Sequence, residues 1–172
     1  ARPSTADEVL SVEPVAAFGF ITDSPRSITV KGISEEGVFD AARIGVPNGE
    51  TIAAVGGKVV LDNVSLSAFD GAVQVASVAS TGEVVVAGDS LNLNATDKGI
   101  IELTNGGLLQ TSNLSTEAGG RVVIRGGKLV IDSGNISAST NDLTGRGVDI
   151  EVDELVMRNS SQIKTTSFGS AP

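Results

Sequence analysis

The stretch RVVIRGGKLVIDSGNIS (residues 121–137) decides how this chain is read, because a second stretch, VDIEVDELVMRNSSQIK (residues 148–164), repeats its rhythm with few of its letters. Shifted by 26 residues, Ile124 falls on Ile150 (150 − 124 = 26), Leu129 on Leu155 and Ile131 on Met157. The same shift sets Arg125 against Glu151, Lys128 against Glu154 and Asp132 against Arg158. A register chosen on apolar residues thus brings three pairs of opposite charges together. Exposed pairs of this kind contribute only about 0.2–1 kcal/mol each, so they mark the register and do not hold the fold.

A short motif recurs outward from this pair. It is an aliphatic residue, a few residues rich in Asp, Asn, Gly and Ser, then an aliphatic again. It reads LDNVSL from Leu61 to Leu66, LTNGGL from Leu103 to Leu108, IDSGNI from Ile131 to Ile136 and MRNSSQI from Met157 to Ile163. VAGDSL, from Val86 to Leu91, is a poorer copy. The good copies start 131 − 103 = 28 and 157 − 131 = 26 residues apart. Repeats of this length belong to solenoids. The units are too β-rich for helical repeats and lack the leucine-rich consensus.

The reading is all-β: a parallel β-helix solenoid with rungs of roughly 20–28 residues. Strands of successive turns would stack at about 4.8 Å. Asn and Gly would take the corners, where the backbone is left-handed. Spacing persists because a one-residue slip turns every side chain inside out. Identities drift because aliphatics of similar volume replace one another. Residues 1–50 read as an N-terminal part with irregular strands and a candidate cap, and residues 51–172 as the repetitive rungs. Helical rhythm is nearly absent. SEEGVFDAAR and DAARIGV (residues 34–46) offer the best candidate for a helical turn, weakened by Gly37.

Composition sets limits. The 172 residues suffice for one domain. With 3% aromatics and no Trp or Tyr, the core must be Val, Ile, Leu and Ala. A net charge of −9 argues against nucleic acid as a partner, since phosphate needs a basic surface. Cys and His are absent, which removes disulfides, thiol nucleophiles, zinc sites and His-based triads. No cofactor is expected. Such a chain suits passage across membranes unfolded and work outside the cell. It starts without Met and reads as an internal fragment or a processed product.

Several pieces together resemble the filamentous-haemagglutinin-type exoproteins, the passengers of two-partner secretion in Gram-negative bacteria and cyanobacteria. They are LSVEPVAAFGF (residues 10–20), ITVKG (28–32), VPNGETIAAVGGKVVLDNVSLSA (46–68), VASVASTGEVVV (75–86), GGRVVIRGGKLVIDSGNISAST (119–140) and SSQIKTTSFG (160–169). The resemblance implies a right-handed β-helix and export through an outer-membrane transporter partner. It also implies a place on the cell surface or in the medium, and an adhesin or haemagglutinin role toward a host or cell-surface glycan or protein receptor. The Asn-Pro motif of the family's secretion domain is missing; VPNG (residues 46–49) reads as a turn instead.

Site candidates are few. Asp149, Glu151 and Asp153 alternate and should share the outer face of one strand. They read as a solvated face, the alternative being a calcium site or the acid pair of a β-helical polysaccharide-cleaving enzyme. No catalytic, cofactor or metal residue is assigned, and the chain is read as a non-enzyme. Asn63, Asn94, Asn113, Asn135 and Asn159 each begin an N-x-[ST] triplet, as turn-rich chains freely produce. Phe18 and Phe20 share one side of a strand and read as a plug on the core. An open last rung is expected to invite end-to-end self-association.

Overall fold

The structure, a computed structural model, describes residues 15–32, 42–112, 119–140 and 145–168. All its regular elements are strands, and most pair in parallel. After β1 (Ala17–Phe20) the chain lays down successive layers. The first holds β2 (Ile28–Lys31) and β3 (Ala42–Gly45). The second holds β4 (Thr51–Gly56), β5 (Val59–Asp62) and β6 (Val64–Ser67). In the third, β7 (Ala72–Ser77) is followed by a hairpin of β8 (Gly82–Ala87) and β9 (Ser90–Ala95) before β10 (Ile100–Thr104) and β11 (Leu108–Ser112) complete the layer. The fourth is β12 (Arg121–Asp132) with β13 (Asn135–Thr140), and the fifth β14 (Gly147–Arg158) with β15 (Gln162–Ser167).

The 26-residue register holds along all of β12 and β14: Ile124 pairs with Ile150, Leu129 with Leu155 and Ile131 with Met157. Extended through the other layers, one column runs Val30, Leu61, Leu103, Ile131, Met157. Another runs Ile44, Leu66, Leu109, Ile136, Ile163. Their inner members, Leu61, Leu66, Leu103, Leu109, Ile131 and Ile136, form one apolar core with Val73, Val75, Val122 and Ile124; Val30 and Ile163 pack against it, and Ile44 and Met157 at the ends are exposed. Each buried aliphatic of that size contributes roughly 1.5–3 kcal/mol.

Between the two columns the chain turns at a corner. Asn63, Asn105, Ser133 and Asn159 occupy equivalent places, directly after the paired residues Asp62, Thr104, Asp132 and Arg158. All four have positive φ, from 52° to 56°. Asn tolerates this conformation better than most residues because its short amide bonds locally. Here the amides of Asn105 and Asn159 donate across layers, to Asp62 and Asp132 respectively, each at 2.7 Å. Opposite this corner, close approach demands glycine. A Cβ on Gly57 would lie 2.2 Å from the Pro25 carbonyl oxygen, and one on Gly127 would lie 2.7 Å from that of Lys98.

Three sequence expectations need correction. Ala42–Gly45 forms β3, not a helical turn, because Ile44 extends an aliphatic column beside Leu66; residues 34–41 lie outside the described residues. VAGDSL is not a corner between layers. Val86 and Leu91 face each other across the antiparallel β8–β9 hairpin, whose turn contains Gly88 at φ 60°. The LTNGGL copy of the motif ends at Leu109, not Leu108, because Gly106 and Gly107 lengthen its corner; Leu108 pairs with Ser65 and Asn135. The VPNG turn is present: the Glu50 N–H donates to the Pro47 carbonyl at 3.1 Å, with Gly49 at φ 84°.

Candidate functional site

The layers present three outer faces, and each has its own chemistry. The first lies over β4, β7 and the N-terminal half of β12. Strand alternation sends Val73, Val75 and Ile124 into the main core and Ala76 and Val123 the opposite way. The outward set would be an exposed apolar patch, but a small antiparallel sheet, β1–β8–β9, covers it. Val84 and Leu91 are buried in this second core, and Phe18 and Phe20 pack against it, as the plug reading expects.

Polar contacts fasten the hairpin. Gln74, fully buried, donates from Nε2 to the Gly88 carbonyl at 2.9 Å. Arg125 donates from Nε to the Leu91 carbonyl at 3.1 Å. Arg146 pairs with Asp89 at 2.6 Å. The Arg146 hydrogen bond holds the Asp89 carboxyl below its ordinary range.

Beside the hairpin stands the acid row. Asp149 accepts both terminal nitrogens of Arg125, at 3.0 and 2.8 Å, and Arg121 at 2.6 Å. The Arg125 hydrogen bonds, followed by the charges of Arg125 and Arg121, hold the Asp149 carboxyl below its ordinary range. Glu151 lies 3.6 Å from Arg125, and Asp153 pairs with Lys98 at 3.2 Å. The row therefore shares one outer face, as alternation requires, and each acid is met by a cation: Arg121 and Arg125 from β12, and Lys98 from the connection between β9 and β10. A glycosidase needs one carboxyl raised and one free; Asp149 is shifted the opposite way. Among the described residues no cluster of acids has metal-binding geometry. A cleft of about 580 Å³ opens beside β1 and β4, lined by Val15, Phe18, Ala53 and Val86, with Glu50 as its one carboxylate.

The second face lies over β2, β5, β10 and the C-terminal halves of β12 and β14. It is charged and internally neutralised. Lys128–Glu154 closes at 2.8 Å and Arg158–Asp132 at 3.0 Å, so the charge neighbours foreseen from the register are present. Lys58–Glu102 at 2.7 Å and Lys31–Asp62 at 3.4 Å extend the pattern. The Asp62 carboxyl is held below its ordinary range, first by the Asn105 amide and then by Lys31.

The third face is the outside of β3, β6, β11, β13 and β15. Its first column is Arg43, Ser65, Leu108, Asn135, Gln162. The second is Gly45, Ser67, Gln110, Ser137, Lys164, and a shorter third is Ser112, Ser139, Thr166. No carboxylate stands in these columns. Neighbours bond along the strands: Ser65 with Ser67 through their hydroxyls, and Gln110 to Ser112, each at 3.1 Å. Sequence reading missed this face. Its signal is the alternation in NISAST and QIKTTS, polar residues outward and Ile, Ala and Thr inward.

The N-x-[ST] asparagines separate by environment. Asn159 spends its amide on Asp132, and Asn63 is half-buried at its corner. Asn94 and Asn135 are exposed, and Asn113 lies outside the described residues. No protein-family model, curated protein or solved structure matches the chain.

Proposed function

We propose that the stacked layers are rungs of a right-handed parallel β-helix, and that the chain belongs to a secreted or cell-surface exoprotein of the filamentous-haemagglutinin type. Its role is adhesive: a rigid stalk exported through an outer-membrane two-partner secretion transporter, presenting its flanks to a glycan or protein receptor. One observation carries this reading. A fixed register runs through every layer, with aliphatic columns inside and, from the second layer to the fifth, left-handed corners in line. Such a body is rigid along its axis and offers long, regular flanks. The neutralised acid row favours this role over polysaccharide cleavage. The unpaired outer edges of β14 and β15 among the described residues also favour end-to-end association of copies, seen as concentration-dependent mass in sedimentation; a strict monomer counts against it.

Antibodies against the chain test the placement. They should label intact producing cells or their medium, and external protease should remove the cell-bound signal. Labelling that requires lysis overturns the reading.

A further inference from the structure

We infer that the third outer face, on β6, β11, β13 and β15, is a docking surface for a neutral polysaccharide. The inference rests on the adhesive reading and gives it a location and a ligand class.

The chain carries 21 acids, yet among the described residues none stands in the columns of this face. The ion pairs among the described residues lie on the other two faces. Apart from Leu108 and the cations of the two outermost strands, the columns carry hydroxyls and amides, with Gln110, Ser112, Ser137 and Ser139 at the centre. Neighbouring strands space it at about 4.8 Å, and alternate residues along a strand at roughly 6.7 Å. Hydroxyls and primary amides both donate and accept, as sugar hydroxyls do. Exchanging surface water for sugar hydroxyls costs little at the centre of this face, on β11 and β13, because no charged side chain stands in their outward columns. A pyranose ring is about as long as the strand spacing, so a chain of sugars crossing the strands meets one residue of a column at each, Ser67, Gln110 and Ser137 in turn. Each contact is weak; repetition along one polymer supplies avidity.

Polyanions fit less well. The cations of the face, Arg43 and Lys164, stand in its two outermost strands. They are four strand spacings apart, about 19 Å, and the whole chain carries −9.

The test uses the folded chain with cellulose, β-1,3-glucan and mannan, and with heparin and alginate as anionic comparators. At least one neutral polymer should retain the protein, and retention should survive high salt. Gln110→Glu with Ser137→Glu should lower retention at least tenfold. Thr29→Glu, on the charged face, should leave it unchanged. Amide exchange with soluble mannan or β-1,3-glucan adds a readout that needs no variant: protection should centre on β11 and β13. Retention by no neutral polymer, retention by heparin or alginate alone, or an unaffected double variant overturns the inference. Surface labelling without polysaccharide retention sinks this inference alone; loss of surface labelling sinks the adhesive reading beneath it.

Discussion

The fourth and fifth layers carry the same columns and bury them differently. Leu129 and Ile131 of β12 are fully buried, whereas their partners Leu155 and Met157 in β14 are 46% and 42% exposed. The alternating pattern is common to both. What differs is the number of strands alongside: β12 lies between β14 on one side and β7 and β10 on the other, whereas β14 pairs with β12 alone among the described residues. Pattern therefore assigns a residue to a column, and position in the stack sets what that residue is worth.

The largest effect should come from breaking a column in the middle. Ile131→Ala removes packing on all sides and should cost about 2–5 kcal/mol. Met157→Ala, in the same column, should cost less than half as much, because much of its side chain already meets water. Urea unfolding of both variants checks this; equal losses would mean that the fifth layer is covered in solution.

The ion pairs extend the contrast from the core to the surface. Arg125 is 12% exposed at its side chain and bonds to Asp149 through two nitrogens. Asp149→Ala leaves that guanidinium short of partners and should cost about 1.5–3 kcal/mol, the range for hydrogen bonds to charged groups. The carboxyls of Asp149, Asp89 and Asp62 are all lowered in the folded chain. Their ionised forms therefore stabilise it. That stabilisation is complete above the unfolded carboxylate range and disappears as pH falls through the folded values, so stability should drop below about pH 4. Asp149→Asn should make the drop shallower, as read from melting temperatures across pH.

The corners sit next in size. Asn105→Val forces a β-branched residue to φ 53° and removes the bond to Asp62. A loss of about 1–2 kcal/mol is expected from the backbone alone. Asn105→Gly, which accepts the angle, should lose less; the same cost for both would place the effect in the amide and not in the backbone.

How much of this was legible in the sequence follows from the same physics. The β12–β14 register was readable because side-chain alternation and charge pairing repeat at a fixed offset, so Ile124 and Ile150 could be matched by counting. The corner asparagines were readable because few residues accept that backbone. The hairpin was not, since Val86 and Leu91 mimic the spacing of a corner, and only the strands that cover Val123 and Ala76 reveal the difference. The Ile44 strand was hidden by helix-favouring neighbours in DAAR. The face of Ser137 and Gln110 went unseen because no single residue in it is unusual; its meaning lies in strands that are distant in sequence.

The smallest expected effect tests the register most directly. Lys128 and Glu154 are partly exposed and 2.8 Å apart. A double-mutant cycle to Ala should return a coupling of only about 0.2–1 kcal/mol, shrinking with added salt. Its size is unimportant; its sign under exchange is not. Lys128→Glu alone sets two like charges side by side on neighbouring strands, and adding Glu154→Lys should restore most of what was lost. Residues 26 apart in sequence can behave that way only if β12 and β14 lie in the register that Ile124 and Ile150 define. A cycle with no coupling at low salt would detach the charges from the columns, leaving the register to rest on the aliphatics alone.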